Sequence, residues 1–321
     1  MRPDGGGLRR RARRRVGARA GDPPARVPLR LVLQTAIALT LTLAVAVALS
    51  ACDSPSQSAP PVTATEAMTK VLGHAPAGAA ATVARTGVLT VAVDAAFPPQ
   101  SSIDPSSKEL VGFNVEVADR LGELLGAKVR FVTPVWDKVP AALRKGEAEV
   151  AVDSIPITAA ARETMSLTKP YAYQNAVLAV LSGSAPASSA ADLQGVTVGV
   201  VAQSVYQFWL QQQGGVTVRP FTNESDAADA LRSGRIGGLM TAQTDVWELI
   251  EGGAPFEPRG PFFSQPLGLA TAHGENDLVA VLDDALATLR RDGTLARLSQ
   301  KWYGGHDVSH RPPAGVPRYE P

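Results

Sequence analysis

The sequence predicts an α/β fold of two similar lobes with a ligand crevice between them. Three observations carry this. Strand-like and helix-like segments alternate from residue 88 to 152, and the alternation restarts at 196 and runs to 240. The chain has 321 residues, enough for two domains of ordinary size. Hydrophobic residues make up 45% and charged residues 19%, which excludes a disordered chain and a polytopic membrane protein.

Each element has its own local reason. Val88 to Val93 alternates apolar and β-branched residues and reads as a strand. Asn114 to Leu125 has apolar residues at helical spacing, and Gly126 stands where a helix stops. Val129 to Val132 is the next strand, Val139 to Lys145 a helix ended by Gly146, and Val150 to Val152 a third strand. The second round opens with a strand at Val196 to Val201 and a helix at Tyr206 to Gln213, closed by Gly214-Gly215. A strand at Val216 to Phe221, a helix at Asp226 to Arg232 and a strand at Ile236 to Met240 follow. Asp277 to Arg291 is a long amphipathic helix and Leu295 to Trp302 a short one. Residues 306–321 are polar and Pro-rich and read as a loose tail. Open parallel sheets bind ligands at the carboxyl ends of their strands, so the residues just after Val93, Val152, Val201 and Met240 are the candidates.

The net charge of +1 is a cancellation. Residues 1–51 hold ten Arg, no Lys and two Asp, for +8, and the remainder carries −7. A mildly acidic body argues against nucleic acid, which needs clustered Lys and Arg. One Cys excludes an internal disulfide, a zinc ribbon and a thiolate cluster. His306 and His310 have metal-like i,i+4 spacing but fall in the Pro-rich tail, so no metal and no cofactor is expected. Ser166-Leu167-Thr168-Lys169 matches an S-x-x-K nucleophile motif, yet no Lys is followed by Thr-Gly, and no enzyme is expected.

The N-terminus reads as an address. An Arg-rich stretch to Arg30 precedes 19 uncharged residues, Leu31 to Leu49, the order of an export signal. That run is also long enough to span a bilayer, so an uncleaved signal anchor stays open. Leu49-Ser50-Ala51-Cys52 resembles the lipobox of bacterial lipoproteins, which implies cleavage before Cys52 and a lipid on that Cys. Residues 52–85, rich in Ser, Pro, Ala and Thr, read as a flexible tether, with a short helix at Glu66 to Leu72.

Five segments in order resemble the family 3 extracellular solute-binding proteins, the amino-acid-binding components of ABC importers. They are residues 87–99, Val111 to Val117, Trp136 to Glu149, Ile155 to Thr158, and Leu289 to Leu295 with Lys301-Trp302-Tyr303-Gly304. The resemblance implies a two-lobed, type II periplasmic-binding-protein-like fold with a two-strand hinge. Lobe 1 would be 86–177 plus 268–305 and lobe 2 would be 182–264. It also implies a monomer on the outer face of the cell membrane, with a small solute and an ABC permease as partners. The alternative is a lipoprotein that senses ligand for a partner receptor.

The same resemblance places the site. Asp94 and Phe97 match the acidic or polar residue and the covering aromatic after the first strand, and Trp136 matches a second aromatic. A turn residue at Asp94 and core positions for the two rings are the structural alternatives. Ser154 and Thr158 stand where backbone amides and hydroxyls receive an anionic group. The Arg that clamps an α-carboxylate in the family is Ala161 here, with Arg162 one residue on. The Asp that pairs with the α-ammonium is replaced by Thr241 and Ala242, and Asp245 is expected to face away. Gln203 and Ser204 replace a Gly-Thr at a helix start. Asp153 stands in place of a small residue. With Asp94, Phe97 and Trp136 it suits a cationic ligand, unless it is a strand-end residue bonded to backbone.

Overall fold

The computed structural model describes residues 63–185 and 187–319. The export signal and Cys52 lie outside the described residues. The chain begins with α1 (Ala64–Leu72) and α2 (Gly78–Thr86), then β1 (Val88–Ala92). Three short strands follow: β2 (Ala96–Phe97), β3 (Ser101–Ile103) and β4 (Leu110–Val111). Next come α3 (Phe113–Leu125), β5 (Lys128–Val132), a 3-10 turn at Trp136–Lys138 and α4 (Val139–Arg144). Then β6 (Val150–Pro156), α5 (Ala159–Thr164), β7 (Met165–Leu167) and β8 (Ala172–Leu181) complete the first round. The second round is β9 (Thr197–Val201), α6 (Val205–Gln213), β10 (Thr217–Phe221), α7 (Glu224–Arg232), β11 (Gly238–Ala242) and α8 (Gln243–Glu251). The 17-residue β12 (Phe256–Ala272) leads back to α9 (Asn276–Arg291) and α10 (Thr294–Trp302).

One curled, mixed sheet carries the order β10-β9-β11-β8-β12-β6-β1-β5, with β7 also on β12. β5 and β6 pair parallel to β1, and β10 and β11 pair parallel to β9, as βαβ connections require. β8 and β12 pair antiparallel with each other and join the two sets. Successive side chains of a strand face opposite sides, and each set buries both. In β6, Val150 and Val152 enter one buried cluster with α3, α9 and α10, while Ala151 enters another with α4. In β8, Ala176, Leu178 and Val180 pack with α6, while Val177 and Ala179 pack with α7. β12 contributes to all four clusters, through Phe256, then Phe262 and Phe263, then Leu267 and Leu269, then Ala270.

The separate antiparallel sheet β2-β3-β4 was not anticipated. Its strands are two or three residues long, too short for periodicity to register. It closes against Gly112, whose φ is 139°; a Cβ there would lie 2.3 Å from the Gln100 carbonyl oxygen.

Two segments are more ordered than composition suggests. The expected tether does not run through to residue 85, because the chain is helical from Ala64. Thr63 and Glu66 form a reciprocal N-terminal cap, and Met68, Ala80 and Val83 are fully buried in the α3–α9 core. α2 borrows its cap: Ala77 N–H donates to Asp277 Oδ2 (2.9 Å) and Ala79 N–H to Glu275 Oε2 (2.7 Å). Those partners lie about two hundred residues away, and Ala buries without side-chain entropy cost, so local composition misses both effects.

The tail expected to be loose is packed over residues 306–319. The Val308 carbonyl accepts from Tyr173 N–H, the Pro317 carbonyl accepts from Ser264 N–H, and the Tyr319 ring lies 5.0 Å from that of Phe263. His306 stacks on Trp247 of α8 at 3.9 Å, and His310 Nδ1 pairs with Asp307 at 2.6 Å. Backbone pairing to strand edges satisfies a polar, Pro-rich segment that has few apolar side chains of its own.

Candidate ligand-binding cleft

Asp94 follows β1, and both of its carboxylate oxygens hold backbone. Oδ1 accepts from Ala96 N–H (2.9 Å) and Oδ2 from Trp136 N–H (3.2 Å). Asp94 therefore ties the Phe97 loop to the Trp136 turn while lining the cavity between them. Phe97 and Trp136 keep 47% and 48% of their surface exposed, which removes the core alternative for both rings.

Asp153, on β6, is 1% exposed. Its Oδ1 accepts from Asp94 N–H at 3.0 Å, while Oδ2 is buried without a hydrogen-bond partner. Burial pushes its carboxyl up to about 6; the bond from Asp94 N–H opposes the shift and the Asp94 charge adds to it. One oxygen is bonded to backbone, as the strand-end alternative has it; the other is buried without a partner, and the residue borders the cavity.

Ser154 has φ of 52°, in the left-handed region, at a cost of about 1 kcal/mol or more. A buried set of bonds fixes it. Its N–H donates to Tyr171 Oη (3.1 Å), Tyr171 O–H donates to Asn114 Oδ1 (2.6 Å), and Asn114 Nδ2 donates to Ser154 Oγ (3.3 Å). The expected anion contact by the Ser154 amide is therefore corrected, because that amide is committed to Tyr171. Thr158 needs the same correction. Its hydroxyl caps α5 by accepting from Ala161 N–H (3.1 Å), and its own N–H donates to the Pro156 carbonyl (3.0 Å). Ala161 lines the cleft, whereas the next residue, Arg162, is exposed on α5 and lines none of the chambers below. One helical step turns a side chain by about 100°, which takes Arg162 off that wall.

Across the cleft, Gln203 (φ 62°) donates its N–H to Gln207 Oε1 (2.7 Å), and Ser204 caps α6. Thr241 is 3% exposed and donates its hydroxyl to Asp245 Oδ2 at 2.8 Å. None of Gln203, Ser204 and Thr241 lines the chambers around the aromatics. The residues that do are Gln174 of β8, Tyr206 of α6, and Thr244, Asp245, Trp247 and Glu248 of α8. Asp245 was expected to face away and instead lines the cleft. α8 begins directly after β11, so its first turn points back at the strand end. A start without a side-chain cap left no local signal for that helix. Burial raises the Asp245 carboxyl; burial, then the Asp245 charge, raises that of Glu224 to about 7.

Three contiguous chambers, of about 320, 390 and 480 Å³, meet at Gln174, which donates Nε2–H to Tyr206 Oη (3.0 Å). Their charged lining residues are Asp94, Asp153, Asp137, Asp245, Glu248 and Glu251; among the described residues no Lys, Arg or His lines them. The arrangement suits capture of a polar, positively charged molecule between aromatic and acidic surfaces.

The comparisons agree with the geometry. The model of bacterial extracellular solute-binding proteins, family 3, matches residues 89–305. The chain is 30% identical over 226 residues to the L-cystine-binding protein TcyJ of Escherichia coli K12, covering 69% of this chain and 85% of that one. It is 28% identical over 230 residues to a putative ABC transporter arginine-binding protein 2 of the same organism, covering 70% and 93%. The unliganded, open L-cystine solute receptor of Neisseria gonorrhoeae superposes with a TM-score of 0.66 at 24% identity, over 73% of this chain and all of the other. These relatives are solute-binding proteins, not enzymes, and the fold they share is that of the type II periplasmic binding proteins. The chain belongs to the family 3 bacterial extracellular solute-binding proteins.

Proposed function

We propose that this protein is the lipid-anchored capture component of an ABC importer and closes on an amino acid or a related small polar or cationic solute. The observation that carries the reading is the cleft itself. Two half-exposed aromatics and Asp153, which keeps a buried oxygen without a partner, share one cavity with residues of α8, β8 and β12. The moving units are residues 86–177 with 268–305, and residues 182–264; α1 and α2 travel with the first. Two connecting strands that bend together let each core stay packed while the gap closes. A solute touching both sides favours the closed form only by binding it better than the open one. Capture makes and breaks no bond. Cystine and arginine, the ligands named for the relatives, are amino acids, which supports the solute class. Cys52, lipidated, would hold a monomer at the outer face of the membrane beside its permease.

Two measurements test this. Labelling with a palmitate analogue should mark the wild-type chain in membranes and leave Cys52→Ala unlabelled and released. Small-angle scattering should show a smaller radius of gyration on adding one of L-cystine, L-arginine, L-histidine or a cationic amine. Equal labelling of both chains removes the anchor, and no contraction with any of these probes removes closure.

A further inference from the structure

The charges on the cleft wall are all of one sign, and this bears on what the solute carries. The inference rests on the capture reading above and narrows it. An amino acid brings an α-carboxylate, which needs a guanidinium or free amides. The wall offers neither at the expected place. Ala161 replaces the guanidinium, and Arg162 is turned to solvent. The Ser154 amide is bonded to Tyr171, and Thr158 is spent on its own helix. A carboxylate placed there would face Asp94 and Asp153 with no cation lining the chamber.

Positive charge is accommodated at two places. In the first chamber, Asp153 borders the wall with Phe97 and Trp136; it is 1% exposed, and its Oδ2 is buried without a hydrogen-bond partner. A buried carboxylate oxygen without a donor is costly unless a donor arrives with the ligand, and the ring faces add attraction for a cation. In the second chamber Asp245 stands with Glu248 beside Tyr206 and Trp247. Phe97, Gln100, Gln174, Thr244 and Tyr303 line both chambers, so the two chambers adjoin.

We propose that the ligand is a small dication without a carboxylate, an aliphatic diamine or an amino-guanidine, with one cation held at Asp153 and the other at Asp245. This is the amine that remains when a basic amino acid loses its carboxyl group.

Matched pairs test it. Titration calorimetry on the full chain in detergent compares cadaverine with L-lysine and agmatine with L-arginine, each pair differing only in the carboxylate. At least one amine should bind at least about tenfold more tightly than its amino acid. Asp153→Asn and Asp245→Asn should each weaken that amine by about tenfold or more, as expected for loss of one charged hydrogen bond. The two variants lie in separate chambers, so failure of one to fold leaves the other as the reading. An amino acid that binds as tightly as its amine overturns the inference. So does the absence of binding by both amines. Neither result touches the capture reading, which stands if L-cystine or L-histidine contracts the molecule in scattering.

Discussion

The buried carboxylate of Asp153 works against the stability of the empty protein. Its carboxyl titrates near 6 when folded and near 3.8 when free. A carboxyl raised on folding adds stability that is complete below the unfolded value and is lost as pH rises through the folded one. The group therefore leaves the empty protein about 2 kcal/mol less stable at pH 7.5 than at pH 4. Asp153→Asn keeps an acceptor for Asp94 N–H and removes the charge. Thermal melts of the empty protein at pH 7.5 should show the variant more stable by about 1–3 kcal/mol, several degrees in Tm, with the gap closing towards pH 4. Equal melting temperatures at pH 7.5 would mean that the buried charge costs nothing. Of the residues that sequence brought to the cleft, Asp94 follows β1, Phe97 lies in β2, Trp136 opens the 3-10 turn and Asp153 lies within β6. Gln174 and Asp245 could not be placed, because their positions depend on where a long strand crosses and on where an uncapped helix begins.

Elements with strong periodicity were legible; those held by distant partners were not. The strands β1, β5, β6, β9, β10 and β11 and the helices α3, α4, α6, α7, α9 and α10 lie close to where alternation and Gly stops put them. α1 and α2 escaped notice as a packed pair because their cap and their core come from the α9 end of the chain. They form part of the α3–α9 core, which a substitution can measure. Met68 is fully buried, and Met68→Ala should cost about 2–5 kcal/mol in urea denaturation, the range for emptying a buried Met site. A loss below about 0.5 kcal/mol, the usual size of a surface change, would mean that the pair is only loosely docked.

At the scale of the molecule, the two rounds of alternation translate into two sets of parallel strands, and the sheet that joins them depends on long-range pairing. The family resemblance implied a two-strand hinge. The structure has a 10-residue and a 17-residue strand, paired along most of their length. β12 alone places side chains in all four buried clusters. The two halves consequently share a piece of backbone that cannot leave one core and remain native in the other. Heat should unfold the described region in one cooperative event, with calorimetric and van't Hoff enthalpies in agreement, and damage to one lobe should lower the melting point of both. Two resolved transitions would show the halves to be thermodynamically independent. The strand that the proposed closure would bend is then also the reason that neither half outlives the other.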